Sequence, residues 1–307
     1  MSQVTGQWHT HAMESSVELH LRNLIFDRLS EIRAARGVVT RAELESVDIG
    51  GGETRRVIDQ SRGIWNPKDL LGTLSVVSSP DGPYADAELG DSLFAYDYRA
   101  GSTDGDNAKM RRAFELGLPI ILLRKIQKGV YVPIFPVYVV EDDINNRKFL
   151  LALDEGLRSV VDPLHLKPLE RAYAERVTKQ RLHQPEFRGR VLLAYEHRCT
   201  VCTLRHGQLL DAAHIIGDGK PHGDPIVTNG LSMCKIHHAA YDANFLGVSP
   251  NYEVRINSAL MHEIDGPMLL HGLQEMDGRE LTLPTRSSDY PSKERLAERF
   301  SEFLQAG

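Results

Sequence analysis

The three cysteines of this 307-residue chain fall in one short stretch, and their spacing constrains the fold of that stretch. Cys199 and Cys202 form a C-x2-C pair, and Cys234 forms a C-x2-H pair with His237 further along. Two such pairs are the ligand set of a closed, tetrahedral zinc site. We therefore expect residues 199–237 to fold around a structural zinc ion that joins the two pairs at one point.

Four other residues in this stretch have the chemistry that phosphodiester hydrolysis needs. His214 lies in an apolar, strand-like run, and Asn229 follows a turn and opens the next strand. A histidine suits the general base that deprotonates an attacking water near neutral pH. His238 and Asp242 are four residues apart in an expected helix, so both point to one face. This pair can hold one magnesium or manganese ion and leave positions open for water and phosphate.

Together these residues resemble the HNH (ββα-metal) endonuclease family over about residues 195–257. The resemblance implies a ββα-metal fold with a structural zinc. It also implies that the protein hydrolyses DNA with a single catalytic metal ion, Mg²⁺ or Mn²⁺. The zinc ligands that it implies are Cys199, Cys202, Cys234 and His237. The catalytic residues that it implies are His214 as the base, Asn229 as the residue that ties down the loop, and His238 with Asp242 as metal ligands.

Two points stay open within this resemblance. His237 and His238 are adjacent, and spacing favours His237 for zinc while the pairing with Asp242 favours His238 for the catalytic metal. Many relatives carry a second metal-binding His or Asp immediately before the base. This chain has Ala213 there, so Asp211 is the nearest acidic residue able to help.

A second resemblance covers about residues 72–143 and is more diffuse. Its features are an acidic turn before Gly90-Asp91, a Tyr96-Asp97-Tyr98 strand, a helix start at Asp106-Asn107 and a closing strand with Tyr138 and Val140. This pattern resembles the SRA (YDG) domain, a family that flips a modified cytosine out of DNA into a pocket.

A flipped base needs aromatic faces to stack on and a polar group for its Watson–Crick edge. The base-binding residues that the SRA resemblance implies are Tyr84, Asp86 and Tyr96. The acidic turn aligns only with a one-residue slip, so Glu88 or Asp81 can replace Asp86, and Tyr98 can replace Tyr96.

Composition is ordinary for a globular protein and does not exclude DNA binding through a local basic face. The chain is 41% hydrophobic and 25% charged, and its net charge of −6 disfavours indiscriminate binding to DNA. No apolar run approaches the roughly 18 residues that a membrane span needs, and the N-terminus lacks the pattern of a signal peptide. We therefore expect a cytoplasmic protein. Its most basic stretch, 163–190, is either a DNA-binding face or a solvated helix of mixed charge, and both alternatives stay open.

The expected fold class is α+β, with an SRA/PUA-like curved β-sheet domain followed by a zinc-bearing ββα-metal domain. The expected division is a small helical element at 1–55, an SRA-like modified-DNA-reading domain at 56–160, a helical linker at 161–197 and an HNH nuclease domain with a C-terminal helix at 198–307. A helix is also expected over 14–36, with short β-like runs between about 55 and 145.

The order of these domains resembles McrA-like, modification-dependent (type IV) restriction endonucleases. It implies an enzyme that binds double-stranded DNA carrying modified cytosine and cuts nearby. Since cutting both strands with one HNH site per chain needs two active sites, a homodimer is expected. Two alternatives stay open: an HNH nuclease that recognises phosphorothioate or unmodified sequence, and a catalytically inactive DNA-binding regulator.

Overall fold

The structure is a computed structural model that describes residues 2–79, 93–98 and 105–306, with side chains from residue 15 onward. The chain divides into two compact units. The first comprises Met1–Arg33 with Val38–His183, and the second comprises Ala34–Gly37 with Gln184–Gly307. Within the described ranges, no helix combines the length and the apolar character needed to cross a membrane.

The first unit is a mixed sheet with helices around it. In chain order, the elements up to residue 183 are α1 (Ser2–Arg36), β1 (Val39–Thr40), α2 (Arg41–Glu45), β2 (Val47–Gly50), β3 (Glu53–Arg55), β4 (Ile64–Trp65), β5 (Ser75–Ser78), β6 (Phe94–Asp97), α3 (Asp106–Glu115), β7 (Ile120–Gln127), β8 (Val130–Asp143), β9 (Lys148–Ala152) and α4 (Pro168–Thr178). The strand order is β4-β5-β7-β8-β9-β6, and β1 also pairs with β8. Only the β5–β7 pairing of this described sheet is parallel.

The long strand β8 turns this sheet into a curled half-barrel. Its first part pairs with β7 and its second part with β9, and the register shifts between Val139 and Glu141. A bulge of this kind bends a strand and increases its twist. The fold of this unit is therefore mixed helix and sheet, with the curved sheet that the β-like runs predict.

Both faces of the sheet are covered at its centre, which explains the apolar run of β7. Ile120 and Leu122 belong to one buried cluster, and Ile121 and Leu123 belong to another that includes residues of α1. Successive side chains of a strand point to opposite faces. A strand buried on both faces is therefore continuously apolar rather than alternating.

A buried ion pair fastens α1 to a loop of the same unit. Arg22 is fully buried, and its guanidinium donates to the backbone carbonyls of Thr73 and Pro119 at 2.9 and 2.6 Å. Glu18 accepts from Arg22 at 2.5 Å and from the backbone N–H of Leu71 at 2.6 Å. The expected helix over 14–36 therefore exists, extends over Ser2–Arg36, and is held by buried polar contacts as well as by apolar packing.

The sequence predicts side-chain N-caps at Thr40, at Ser292 and at Asp106 or Asn107, and the structure has the first two. Thr40 caps α2 through a capping box with Glu43, and the hydroxyl of Ser292 accepts from the N–H of Arg295 at the start of the C-terminal helix. The N-cap of α3 was expected to be Asp106 or Asn107. It is Gly105, whose φ of 71° suits a residue without a side chain.

Within the expected linker at 161–197, the apolar spacing predicts a helix over residues 169–197, and in the structure this helix is interrupted. Helix α4 is followed by a single π-helical segment, Lys179–His183, and then by α5 (Gln184–Ala194). The boundary between the two compact units falls between His183 and Gln184, at the end of the π segment.

The second unit contains a β-hairpin followed directly by a helix. After α5, its elements are β10 (Leu210–His214), β11 (Gly230–Cys234), α6 (Lys235–Asp242), β12 (Leu246–Val248), β13 (Val254–Ile256), α7 (Ser258–Met261), α8 (Pro267–Gly272) and α9 (Lys293–Ala306). Strands β10 and β11 are antiparallel, with Leu210 opposite Cys234 and His214 opposite Gly230. The order β10-β11-α6 is the ββα arrangement that the sequence predicts.

Candidate active site

The four predicted zinc ligands lie together in the second unit. The ligand atoms of Cys199, Cys202, Cys234 and His237 are all within 4.8 Å of one another. Ligand sulfurs of a tetrahedral zinc are roughly 3.8 Å apart, given Zn–S bonds of about 2.3 Å. Nδ1 of His237 lies 3.4 Å from Sγ of Cys199 and 3.2 Å from Sγ of Cys234. This Cys3His cluster is therefore compact enough to hold one zinc ion.

The histidine of the cluster is oriented by a backbone carbonyl. Nε2 of His237 lies 2.8 Å from the carbonyl oxygen of Gly272, at the end of α8. With a metal bound, the proton on Nε2 would donate to this carbonyl and Nδ1 would be the ligand atom, which is the tautomer that a metal requires. No local pattern in the sequence indicates this contribution of Gly272, because the contact joins segments 35 residues apart.

Electrostatics at the cluster favour a bound cation. Burial lowers the pKa of His237, but hydrogen bonds with Cys199 and Cys234 outweigh it and raise that pKa to about 10. Hydrogen bonds from the other two cysteines hold the pKa of the Cys234 thiol well below its usual range. Hydrogen bonds with Cys199 and Cys234 instead raise the pKa of the Cys202 thiol. The negative charge of the cluster thus lies on the Cys234 sulfur beside a protonated His237, and a divalent metal would displace the protons of the cluster on binding.

His214 ends β10 and is packed against an aromatic ring. Its imidazole stacks on Phe187 of α5, with ring centroids 4.0 Å apart and an interplanar angle of 18°. Opposite His214 on β11 is Gly230, where an added Cβ would lie only 2.4 Å from Val191 and 2.9 Å from Phe187. The close approach of α5 therefore requires glycine at 230, and it places Phe187 against the candidate base.

Asn229 closes the loop between β10 and β11. Its side chain is fully buried; Oδ1 accepts from the N–H of Ile216 at 2.9 Å, and Nδ2 donates to the carbonyl of Ile216 at 3.0 Å. Nδ2 also donates to the carbonyl of Asp224 at 3.1 Å. The asparagine thus joins the two ends of the loop immediately after His214, in agreement with a role in holding the loop.

His238 and Asp242 share one face of α6, as their spacing predicts. Nε2 of His238 lies 3.4 Å from Oδ2 of Asp242, and Nδ1 lies 3.9 Å from Oδ2 of Asp211 on β10. Asp242 is 66% exposed, which leaves room for water and phosphate around its carboxylate. The two donors fit a single Mg²⁺ or Mn²⁺, which typically binds proteins through few carboxylates and keeps several waters.

Asp211 connects this pair to two basic side chains. Its carboxylate lies 2.7 Å from Nζ of Lys235 and 3.5 Å from Nε of Arg188. Burial raises the pKa of Asp211, but the hydrogen bond and charge of Lys235, the N–H of Ala212 and the charge of His238 outweigh it and lower that pKa. Asp211 is thus held ionised beside His238. Asp211 precedes His214 by three residues on the same strand, so their Cα atoms are about 10 Å apart.

The expected base-binding residues are only partly described. Tyr84 and Asp86, with the alternatives Asp81 and Glu88, lie outside the described residues. Tyr96 is 6% exposed in β6, and its hydroxyl donates to the carbonyls of Gly63 at 3.2 Å and Val77 at 3.4 Å.

The alternative residue Tyr98 is also buried. Its hydroxyl donates to Asp142, and Nη2 of Arg111 donates to the Tyr98 oxygen at 3.1 Å. The rings of Tyr98 and Phe149 lie 4.6 Å apart. Both candidate tyrosines are therefore tied into the first unit by hydrogen bonds.

The basic stretch 163–190 is less open than its composition suggests. Arg181 lies 3.2 Å from Asp154, Arg188 lies 3.5 Å from Asp211, and Arg190 donates to Glu186 at 2.7 Å. Asp154 and Asp211 lie outside the stretch, and their carboxylates offset part of its positive charge.

Comparison with known proteins supports the nuclease assignment for the second unit. Residues 199–249 match the family described as HNH endonuclease. No curated protein matches the chain. The matched segment contains the Cys3His cluster and the His214, Asn229, His238 and Asp242 positions. The chain therefore carries an HNH-type DNA endonuclease domain.

Two solved structures are similar to the chain at low identity. One, a modification dependent TagI restriction endonuclease, is 18% identical, with 76% of this chain and 82% of that chain covered and a TM-score of 0.28. The other, the type IV phosphorothioation-dependent restriction endonuclease ScoMcrA, is 19% identical, with 59% and 48% covered and a TM-score of 0.24. This chain spans about half the length of ScoMcrA. Neither superposition is close enough to assign a function.

Proposed function

We propose that this protein is a modification-dependent DNA endonuclease whose first unit binds a modified cytosine and whose second unit hydrolyses the DNA backbone. The observation that carries the proposal is the placement of His214, Asn229, His238 and Asp242 on one ββα motif beside a Cys3His cluster. A purely structural zinc knuckle would not need these four residues.

In the proposed reaction, His214 accepts a proton from the water that attacks the phosphorus, and the bond to the leaving oxygen breaks. Asn229 holds the loop that follows His214, and Phe187 supports its ring. A Mg²⁺ or Mn²⁺ ion held by His238 and Asp242 would neutralise charge on the scissile phosphate and the leaving oxygen. The Cys3His cluster with zinc would have a structural role only.

For recognition, we propose an SRA-like first unit that flips the modified base. Tyr84 would provide one stacking face, and Asp86 would accept from the cytosine amino group. Tyr96, which is 6% exposed, would have to be uncovered to provide the second face. The sequence pattern supports this assignment. Substitution to Asn or Gln at Asp86, Asp81 and Glu88 in turn identifies the carboxylate, because only the one that reads the base should cost discrimination between modified and unmodified DNA.

The deciding experiment compares cleavage of matched plasmids that are unmodified, cytosine-methylated, hydroxymethylated or phosphorothioated, with Mn²⁺ and then Mg²⁺. The proposal expects cutting of the cytosine-modified plasmids alone. Equal cutting of all four plasmids would support the nuclease activity but contradict the recognition of a modified base. Cutting of the phosphorothioated plasmid alone would replace the base with the backbone as the recognised group, and absence of cutting with all four would favour the binding regulator.

Double-strand cleavage requires two active sites, so we propose that the protein acts as a homodimer. Light scattering with and without modified DNA tests this part. A monomer under both conditions that nevertheless linearises plasmid in one binding event would contradict it.

A further inference from the structure

Helix α9 lies outside the segment that matches the HNH family. It nevertheless contacts two places in the ββα motif, the loop between β10 and β11 and the end of α6. Leu296 of α9 is fully buried in the core of the second unit. On the same helix, Arg295 and Arg299 are four residues apart, so they lie on one face. Their side chains are only 17% and 12% exposed.

Arg295 reaches the loop that Asn229 closes. Its guanidinium donates to the carbonyl of His222 at 3.0 Å, to the hydroxyl of Thr228 at 3.3 Å and to the carboxylate of Asp224 at 3.4 Å. The backbone carbonyl of Asp224 accepts from Asn229 at 3.1 Å. Arg295 therefore holds Asp224 through its carboxylate, and Asn229 holds Asp224 through its backbone carbonyl.

Arg299 reaches the other part of the motif, the end of α6. Its Nη2 donates to the carbonyl of Tyr241 at 2.6 Å, and its Nη1 donates to the side-chain oxygen of Asn244. The guanidinium lies 4.8 Å from the centroid of the Tyr241 ring. A cation at the carbonyl end of a helix is favourable. The contact fixes the last turn of α6, which carries Asp242.

We propose that Arg295 and Arg299 form an arginine brace, a pair of positioning residues for the nuclease site. Arg295 sets the loop that leads from His214 to Asn229, and Arg299 sets the helical turn that presents Asp242 toward His238. The inference rests on the proposed function for its catalytic meaning. The brace itself concerns the position of the loop and of the helix end, which can be measured without catalysis.

The experiment uses the full-length, zinc-loaded protein with Arg295→Ala and Arg299→Ala, and Arg286→Ala as the matched control, an exposed arginine of the same unit. We expect kcat on the best-cut plasmid to fall about 10- to 100-fold for each brace variant, as for other residues that orient metal ligands. KM for DNA should stay near the wild-type value, because the arginines do not bind substrate. Added guanidinium should restore part of the kcat of Arg295→Ala and none of that of His214→Ala.

Two further measurements do not depend on turnover. Amide hydrogen exchange should accelerate at Ile216 and Asn229 in Arg295→Ala, and the affinity for Mn²⁺, followed by its electron paramagnetic resonance signal, should weaken in Arg299→Ala. Unchanged exchange together with unchanged Mn²⁺ affinity would overturn the brace whatever the cleavage rates are. If the wild-type protein cuts none of the four plasmids, the proposed function fails, and these two measurements still decide whether the brace exists.

Discussion

The imidazole of His214 stacks on the ring of Phe187, with centroids 4.0 Å apart, although 26 residues separate the two in sequence. The contact joins helix α5, which lies outside the family match, to the candidate base. A flat aromatic face limits the orientations of the imidazole and removes water from one of its sides. Phe187 is therefore part of the site although it carries no reactive group.

Replacement of Phe187 should lower activity without loss of the metal cluster. We expect Phe187→Leu to reduce the cleavage rate by at least about tenfold, because misplacement of a catalytic group is costly. The second unit should lose about 1 kcal/mol of stability from the smaller side chain. Cleavage kinetics and thermal unfolding measure the two effects, with Phe114→Leu at a 40% exposed site as the control. A wild-type rate would mean that the stack does not position His214.

Removal of the base itself should be much more severe. We expect His214→Ala to lower the rate by about 10²- to 10⁴-fold, the range for loss of a general base. DNA binding and zinc content should be retained. His206→Ala, which removes an exposed histidine of the same unit, is the control. Loss of the fold in His214→Ala would give His214 a structural role instead.

Loss of one ligand of the Cys3His cluster should couple metal loss to unfolding. We expect Cys199→Ser to bind less than stoichiometric zinc and to lose the cooperative unfolding of the second unit, because a structural metal contributes its binding energy to folding. Metal analysis and calorimetry test this directly. A fully folded, active Cys199→Ser protein without zinc would remove the zinc assignment.

The stability of the second unit should depend on pH through Asp211. Its pKa is lowered in the folded state, so its ionised form stabilises the fold above the ordinary carboxylate pKa, and this contribution is lost as pH falls through the lowered value. We expect Asp211→Asn to destabilise the protein by about 1 kcal/mol at neutral pH. Denaturant unfolding should show this difference shrinking in acid. Glu298→Gln, at an exposed site, should have the same free energy of unfolding as the wild type at every pH. If the stability difference between Asp211→Asn and the wild type does not change with pH, ionisation of Asp211 does not stabilise the fold.

The first unit should depend strongly on its buried ion pair. Arg22→Met leaves the Glu18 carboxylate buried without its guanidinium, which typically destabilises a protein by about 3–5 kcal/mol. The exposed pair Arg28–Glu31 provides the control, and Arg28→Met should cost less than about 1 kcal/mol. Calorimetry of both variants compares the two. If both variants lose the same stability, burial does not make the Arg22–Glu18 pair more important than the exposed Arg28–Glu31 pair.

Local patterns predicted much of the site, because its chemistry lies on short, regular elements. The apolar run before His214 predicted β10, and the four-residue spacing of His238 and Asp242 predicted their shared face on α6. The two cysteine-containing pairs predicted a cluster of four ligands that together could hold one metal ion. In each case the signal lies within a few residues of the group it describes.

The supporting contacts carry no such signal. Gly272, Arg295 and Arg299 reach the site through tertiary packing, and a backbone carbonyl or a helix-surface arginine has the same sequence appearance at any exposed position. The interruption of the 169–197 helix by a π segment was missed as well. Apolar spacing indicates that a helix exists, but one additional residue in a turn hardly changes that spacing.

All three thiols of the chain belong to the Cys3His cluster, which has a practical consequence for the study of this protein. A cysteine introduced anywhere else would be the single thiol outside that cluster. Such a cysteine could be alkylated with a fluorophore or a spin label without prior deletion of native cysteines, provided that zinc protects the cluster. Conversely, an oxidant that reaches the cluster would modify every thiol of the protein at one location.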